Sequence, residues 1–385
     1  MPFSSRSDFD LRPNALSRAL DAARARGEPI LDLTTSNPTT AGIAYPRDAI
    51  LRALADARAL AYEPLPFGLP SARAAVAERL GVDPSRVVLT ASTSEAYAFL
   101  FKLLCDPGDE LLAPQPSYPL FDHLARLEDV RLAPYRLAYD GAWHVDLDGL
   151  ERAVTPRTRG VLSVAPNNPT GSYLKTWELE RMARTGLPIV SDEVFASYPL
   201  GDDAARAPTA LAAEGALVFA LGGLSKLAAL PQIKVGWIVV GGPDALARPA
   251  LDRLEVIADS FLSVSTPAQH ALPALLATSD AAHAQIHARA RRNLAALQKA
   301  AAGSAITVLH VEGGWYATLR LPRIDAEEAW ILTLLAEDRV HVHPGSFFDF
   351  ADEAYAVVSL LTEEETFQGG VRRIVARVAA RTAAT

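Results

Sequence analysis

The chain has 385 residues, half of them apolar, enough for a large core and too many for one simple core, so two subdomains are expected. A net charge of −8 with no long basic run argues against nucleic acid as the main partner. The single cysteine, Cys105, excludes an internal disulfide, and no apolar run is long enough to span a bilayer.

The start, MPFSSRSDFD, carries no apolar stretch of the signal-peptide kind, so a cytoplasmic protein is expected. Residues 14–26 read as a helix, and ILDLT (30–34) as a strand running into Ser36-Asn37-Pro38. Ile50, Ala53, Leu54, Ala57 and Leu60 make a helical face over 47–60. The prolines and Gly68 that follow force an irregular loop, which carries Tyr62.

VVLT (87–90) reads as a buried strand. Ser92 and Glu95 then form a capping box that opens an apolar helix, in which Cys105 is a core residue. A helix N-terminus offers unpaired N–H groups and a favourable dipole, which suit a phosphate as well as an ordinary cap. ELLAPQ is a short strand, and the proline-rich loop after it carries Tyr118.

GVLSV (160–164) and PIVSDE (188–193) are continuous apolar strands. The first runs into Asn167-Asn168-Pro169-Thr170-Gly171, a loop or a plain turn. The second ends in Asp192, a carboxylate whose burial is costly without a positive partner. In LGGLSKLAALPQIKVGW (221–237), Lys226 stands among small and apolar residues. Desolvation there would lower its pKa and free the amine for Schiff-base chemistry; the plainer reading is a surface lysine on a turn.

From about residue 244 the pattern turns to long helices, over 244–260, 266–278 and 280–301. A strand pair is expected over 311–322, a helix over 325–338, a strand at 355–360 and a last helix. His341 and His343 alternate and could face one side, but no further ligands lie nearby and no metal is expected.

In chain order, LTASTSEA (89–96), APNNPTG (165–171), IVSDEVF (189–195) and the Lys226 segment resemble the class I/II aminotransferases, fold type I enzymes that use pyridoxal phosphate. The resemblance implies an α/β fold. Its large domain, residues 40–250, would hold a mainly parallel seven-stranded sheet between helices. Residues 1–39 and 251–385 would form a smaller α+β domain. It implies that Lys226 carries the cofactor and moves the Cα proton, and that Asp192 keeps the ring nitrogen protonated. Ser92, Thr93, Ser94 and Lys234 would hold the phosphate, Tyr118 would stack on the ring, and Asn168 would bond the phenolic oxygen. Tyr62 would reach the partner's cofactor in a homodimer. The partners implied are a small amine or amino acid and an oxo substrate.

The chain also departs from that family. Ser36 stands where glycine is usual, Phe195 where tyrosine is, Gly223 where serine is and Lys234 where arginine is. At 355–360 the family's arginine, which clamps the substrate's α-carboxylate, is replaced by Val357, and no Arg or Lys occurs from 340 to 371. Three expectations follow. Another cation could replace it, Arg12 first and Arg320 second. The donor could lack an α-carboxylate, with Val357, Phe347, Phe348 and Trp315 making a less charged pocket. The chain could run other chemistry of the same cofactor, such as a β-eliminating lyase. Ser36, Asn37, Arg12 and Val357 are the substrate-side candidates. A cofactor-sensing regulator is the non-enzyme alternative; it predicts an appended basic helix-turn-helix, for which the segment before residue 30 is too short.

Overall fold

Val161-Leu162, Ile189-Val190 and Val218-Phe219 are apolar on both sides of the strand, so each needs cover on both faces. The computed structural model, which describes residues 3–351 and 354–383, provides it. The central sheet has eight strands, in the order Val87–Thr90, Gly236–Gly241, Val218–Gly223, Ile189–Asp192, Thr158–Val164, Glu110–Gln115, Arg131–Tyr139 and Trp143–Val145. The five from Val218–Gly223 to Arg131–Tyr139 pair in parallel, and Gly236–Gly241 and Trp143–Val145 run antiparallel to their neighbours. The strand beyond the expected seven is the short hairpin partner Trp143–Val145.

One face buries Leu162, Val190 and Phe219 with Tyr97, Leu100 and Leu254 of helices Thr93–Leu104 and Asp244–Asp259. The other buries Val161, Ile189 and Val218 with Leu150, Leu179 and Met182. Helix Thr266–Ala277 also packs on the large sheet, with Leu272 and Leu275 beside Val87 and Val239. We therefore propose that the large unit extends through Thr278, past the expected boundary at 250.

A four-stranded antiparallel sheet forms the second core, in the order Thr307–Val308, Tyr316–Arg320, Tyr355–Ser359 and His343–Pro344. Leu16 and Leu33 of the N-terminal segment join Trp330, Leu334 and Phe367 in it. The strand pair expected within 311–322 is different. Only Tyr316–Arg320 is strand there, and it pairs with Thr307–Val308 on one side and Tyr355–Ser359 on the other. Gly314, at φ +83°, turns the chain, and Gly313 lies against Tyr173, so 311–315 is a loop between two strands of the small sheet.

No helix among the described residues is long and apolar enough to cross a membrane.

Candidate active site

The carboxyl ends of the parallel strands open on one edge of the sheet, where groups from different strands converge. A cavity of about 170 Å³ lies there. Lys226 enters it from the short helix Leu224–Leu227, one turn past strand Val218–Gly223. Its Nζ lies 5.4 Å from the Phe195 ring centre and 5.1 Å from that of Trp315. Burial pulls the amine down to about 8, against the opposing charge of Asp192. The turn is held from behind: the Tyr198 hydroxyl donates to the Lys226 carbonyl oxygen at 2.7 Å, and the Tyr45 hydroxyl to that of Ala229 at 2.8 Å.

Asp192 ends its strand with a buried carboxylate in the same cavity. Burial pushes its pKa up; the Val194 N–H, donating at 3.1 Å, and the Tyr97 hydroxyl, donating at 3.0 Å, act the other way. Tyr97 went unread in the sequence. It stands four residues after Thr93 on one helical face, and that spacing was the available signal. We expect Tyr97→Phe, which strips a donor from a buried charge, to destabilise the chain by about 1–3 kcal/mol. Denaturant titration at pH 7 measures this, and an unshifted midpoint would mean the bond contributes nothing.

Thr93 and Ser94 line the cavity at the start of helix Thr93–Leu104. Their N–H groups precede the first intrahelical bond, from Ala96 N–H to the Ser92 carbonyl. Gly236 lets this terminus approach, since a Cβ there would stand 3.0 Å from Ser92 backbone and 3.1 Å from the Thr93 nitrogen. Ser92 itself is turned away: its hydroxyl accepts from Glu95 N–H at 3.2 Å. The return arm of the expected capping box goes one residue further back, with Glu95 accepting from Ala91 N–H at 2.6 Å.

Tyr118, Asn168, Phe195 and Ser36 also line the cavity, as does Gly223. Tyr118 is packed edge-on against Phe121 at 5.6 Å. The Asn168 Oδ1 is buried without a hydrogen-bond partner. Ser36 bonds the hydroxyl of Tyr316, which is buried in the wall and pushed up to about 12 by that burial. Tyr316 was also missed; it alternates with Thr318 on its strand, which places both on the site-facing side.

Other expected residues stand elsewhere. Arg12 is exposed and pairs with Asp10 at 2.7 Å, a neighbour two residues away. Arg320 is exposed at the far end of its strand. Asn37 accepts from Thr39 N–H at 3.0 Å and closes its own turn. Lys234 is exposed, in a left-handed conformation, outside the cavity wall. Val357 is fully buried in register with Thr318 and His343 and does not line the cavity. Tyr62 is 75% exposed on a surface groove beside Phe99. The His341 and His343 rings do face one side, 5.9 Å apart, with His341 bonded to Asp32 at 3.2 Å. Among the described residues no group of three or more His, Cys, Asp or Glu is placed to hold a metal ion.

The residues present fit a flat, phosphate-bearing aldehyde with a basic ring nitrogen. A depressed lysine amine, a buried carboxylate, free helix N–H groups and the Asn168 amide face one cavity.

The chain matches the family Aminotransferase class I and II over residues 28–374. It is 31% identical over 281 residues to the glutamate-pyruvate aminotransferase AlaA of Escherichia coli K12, covering 70% of this chain and 68% of that protein. It is 28% identical over 353 residues to an alanine aminotransferase of Mycobacterium tuberculosis H37Rv, covering 85% of this chain and 80% of that one. The solved alanine aminotransferase of Pyrococcus furiosus superposes with a TM-score of 0.87 at 24% identity, over 98% of this chain and 100% of that chain.

Proposed function

The chain belongs to the class I and II aminotransferases, and from that premise we propose that it works with pyridoxal phosphate held at Lys226. The observation that carries this is the Lys226 amine, buried and depressed to about 8 in a cavity it shares with Asp192. When bound, the cofactor supplies an electrophilic carbonyl carbon and a ring that stores electrons.

The chain's own groups do the rest. Lys226 would hold the cofactor through Nζ and, once a donor amine has displaced it, would be the free amine that moves the donor's Cα proton. The Asp192 carboxylate holds the proton on the ring nitrogen, and the Tyr97 hydroxyl holds that carboxylate in place. Thr93 and Ser94 N–H groups bind the phosphate at the helix terminus. The Asn168 amide bonds the phenolic oxygen, and the Tyr118 ring covers one face and excludes water. Lys234 is left out of this set because its side chain is exposed outside the wall.

Amino transfer can be tested directly. The protein is loaded with pyridoxal phosphate, freed of excess and given an amine; conversion to the pyridoxamine form is expected, followed by return to the aldehyde form on adding an oxo acid or aldehyde. Elimination products without amino transfer would favour a lyase instead.

Tyr62 and nearby Leu60, the latter 92% exposed, suit burial against a second copy of the chain. We propose a homodimer in which Tyr62 reaches the partner's cofactor phosphate. Tyr62→Phe is then expected to weaken cofactor binding about tenfold, the weight of one hydrogen bond to a charged group. Unchanged affinity in a cofactor titration, or a monomer in sedimentation, would remove this role.

A further inference from the structure

Two aromatic faces flank Lys226, and the function proposed above uses neither. The Lys226 Nζ stands 5.1 Å from the centre of the Trp315 ring and 5.4 Å from that of Phe195, both within reach of a cation–π contact. The two rings meet edge to face at 5.2 Å, so they border the amine at a steep angle to each other.

Tyr198 fixes the distance between amine and indole. Its hydroxyl donates to the Lys226 carbonyl oxygen at 2.7 Å, and its own carbonyl accepts from the Gly314 N–H at 2.9 Å. Its ring meets that of Trp315 edge to face at 5.1 Å. The lysine turn and the loop that carries Trp315 are therefore tied to one residue. Tyr198, Trp315 and Phe195 are all buried within one chain, so a second copy does not touch these contacts.

The charged and titratable groups around the amine are few. Asp192 faces it across the cavity, with its carboxylate accepting from the Val194 N–H and the Tyr97 hydroxyl. The phenols of Tyr97, Tyr118, Tyr198 and Tyr316 are pushed up by burial and stay neutral at pH 7. Burial favours the neutral amine, whereas a ring face attracts the ammonium form without bringing in a charge of its own.

We propose that Trp315, seconded by Phe195, is a positioning residue that holds the free Lys226 amine in its charged form and so strengthens it as the carrier of the Cα proton. The role in proton transfer rests on the pyridoxal-phosphate reading above; the ring contact does not.

The test weakens the ring face and keeps its shape. Trp315→tetrafluorotryptophan, placed by nonsense suppression, withdraws electrons from the indole. Lysine labelled with ¹³C at the ε carbon is titrated by NMR in cofactor-free protein, with the Lys226 signal identified by its loss in Lys226→Met. The midpoint of the Lys226 amine is expected to fall by about 0.5–1 pH unit, the weight of one buried cation–π contact. The same fluorinated ring at Trp330, in the small core, is expected to leave it in place. An unmoved or raised midpoint at Trp315, or an equal fall from Trp330, overturns the proposal. In the loaded protein the acid limb of kcat for amino transfer should move down with the midpoint. A limb that stays put while the midpoint falls overturns the role in proton transfer. If the unsubstituted protein binds no cofactor, the pyridoxal-phosphate reading falls and the proton-transfer role with it, while the titration still decides the ring contact.

Discussion

Lys226→Ala is expected to lower amino transfer by on the order of 10⁴-fold or more, because both the attachment point and the proton carrier are lost together. Among the described residues no second amine lines the cavity to take over. Cofactor binding should survive in part, since Thr93, Ser94, Asn168 and Tyr118, which are proposed to hold the phosphate and the ring, stay in the wall. The bound cofactor should then absorb as a free aldehyde, without the band of the lysine-bound form. Single-turnover absorbance after mixing with an amine reads both effects. Transfer at the wild-type rate would mean that Lys226 is a packing residue and that the site lies elsewhere.

The same residue should have an opposite effect on stability. Burial pulls the Lys226 amine from its ordinary 10.5 to about 8. Between these values the unfolded chain binds more protons than the folded one, so stability rises with pH across that window. Below about pH 8 both states are protonated and the penalty of burying the charge is fully present. That difference corresponds to about 3 kcal/mol. Lys226→Met, apolar and similar in length, should therefore stabilise the cofactor-free protein at pH 7 by up to about 3 kcal/mol, and by much less above pH 10.5. A variant less stable than the parent at pH 7 would mean that the lysine's contacts outweigh its desolvation.

The site residues that could be read from the chain are those fixed by strand ends. Asn168 and Asp192 sit at or just past the carboxyl ends of buried parallel strands, and Lys226 a turn further on. A continuous apolar run followed by a polar break marks such a point without knowledge of the fold. Tyr97 and Tyr316 lie inside regular elements, and each looks like a core aromatic. Which way the hydroxyl points is decided by the facing element, Asp192 for one and Ser36 for the other. Arg12 and Lys234 come from the resemblance, by position in the chain, and position alone does not say where a long side chain turns. Arg12 has a carboxylate two residues away, and that local pair leaves the guanidinium in solvent. The expected strand pair at 311–322 failed because Gly313-Gly314 uses its freedom for a turn between two strands of the small sheet.

Asp192→Asn should separate electrostatics from geometry. Asparagine is nearly isosteric; its one oxygen can accept from the Val194 N–H, and its NH₂ can donate to the Tyr97 oxygen, which turns from donor to acceptor, so the wall should keep its shape. What it loses is the negative charge that favours a protonated ring nitrogen. Removing one preorganised electrostatic partner of a developing charge typically costs 10²–10³-fold in rate, and about that loss is expected here. Cofactor-free stability should not fall, because burial already pushes the Asp192 carboxyl up and disfavours its charge. A cofactor methylated on the ring nitrogen carries a fixed positive charge and needs no carboxylate to keep it. It should recover a large part of the lost rate in the Asp192→Asn protein while giving none to Lys226→Ala. Recovery in both variants, or in neither, would mean that Asp192 acts as a scaffold for the loop at Val194 and does not set the charge of the ring.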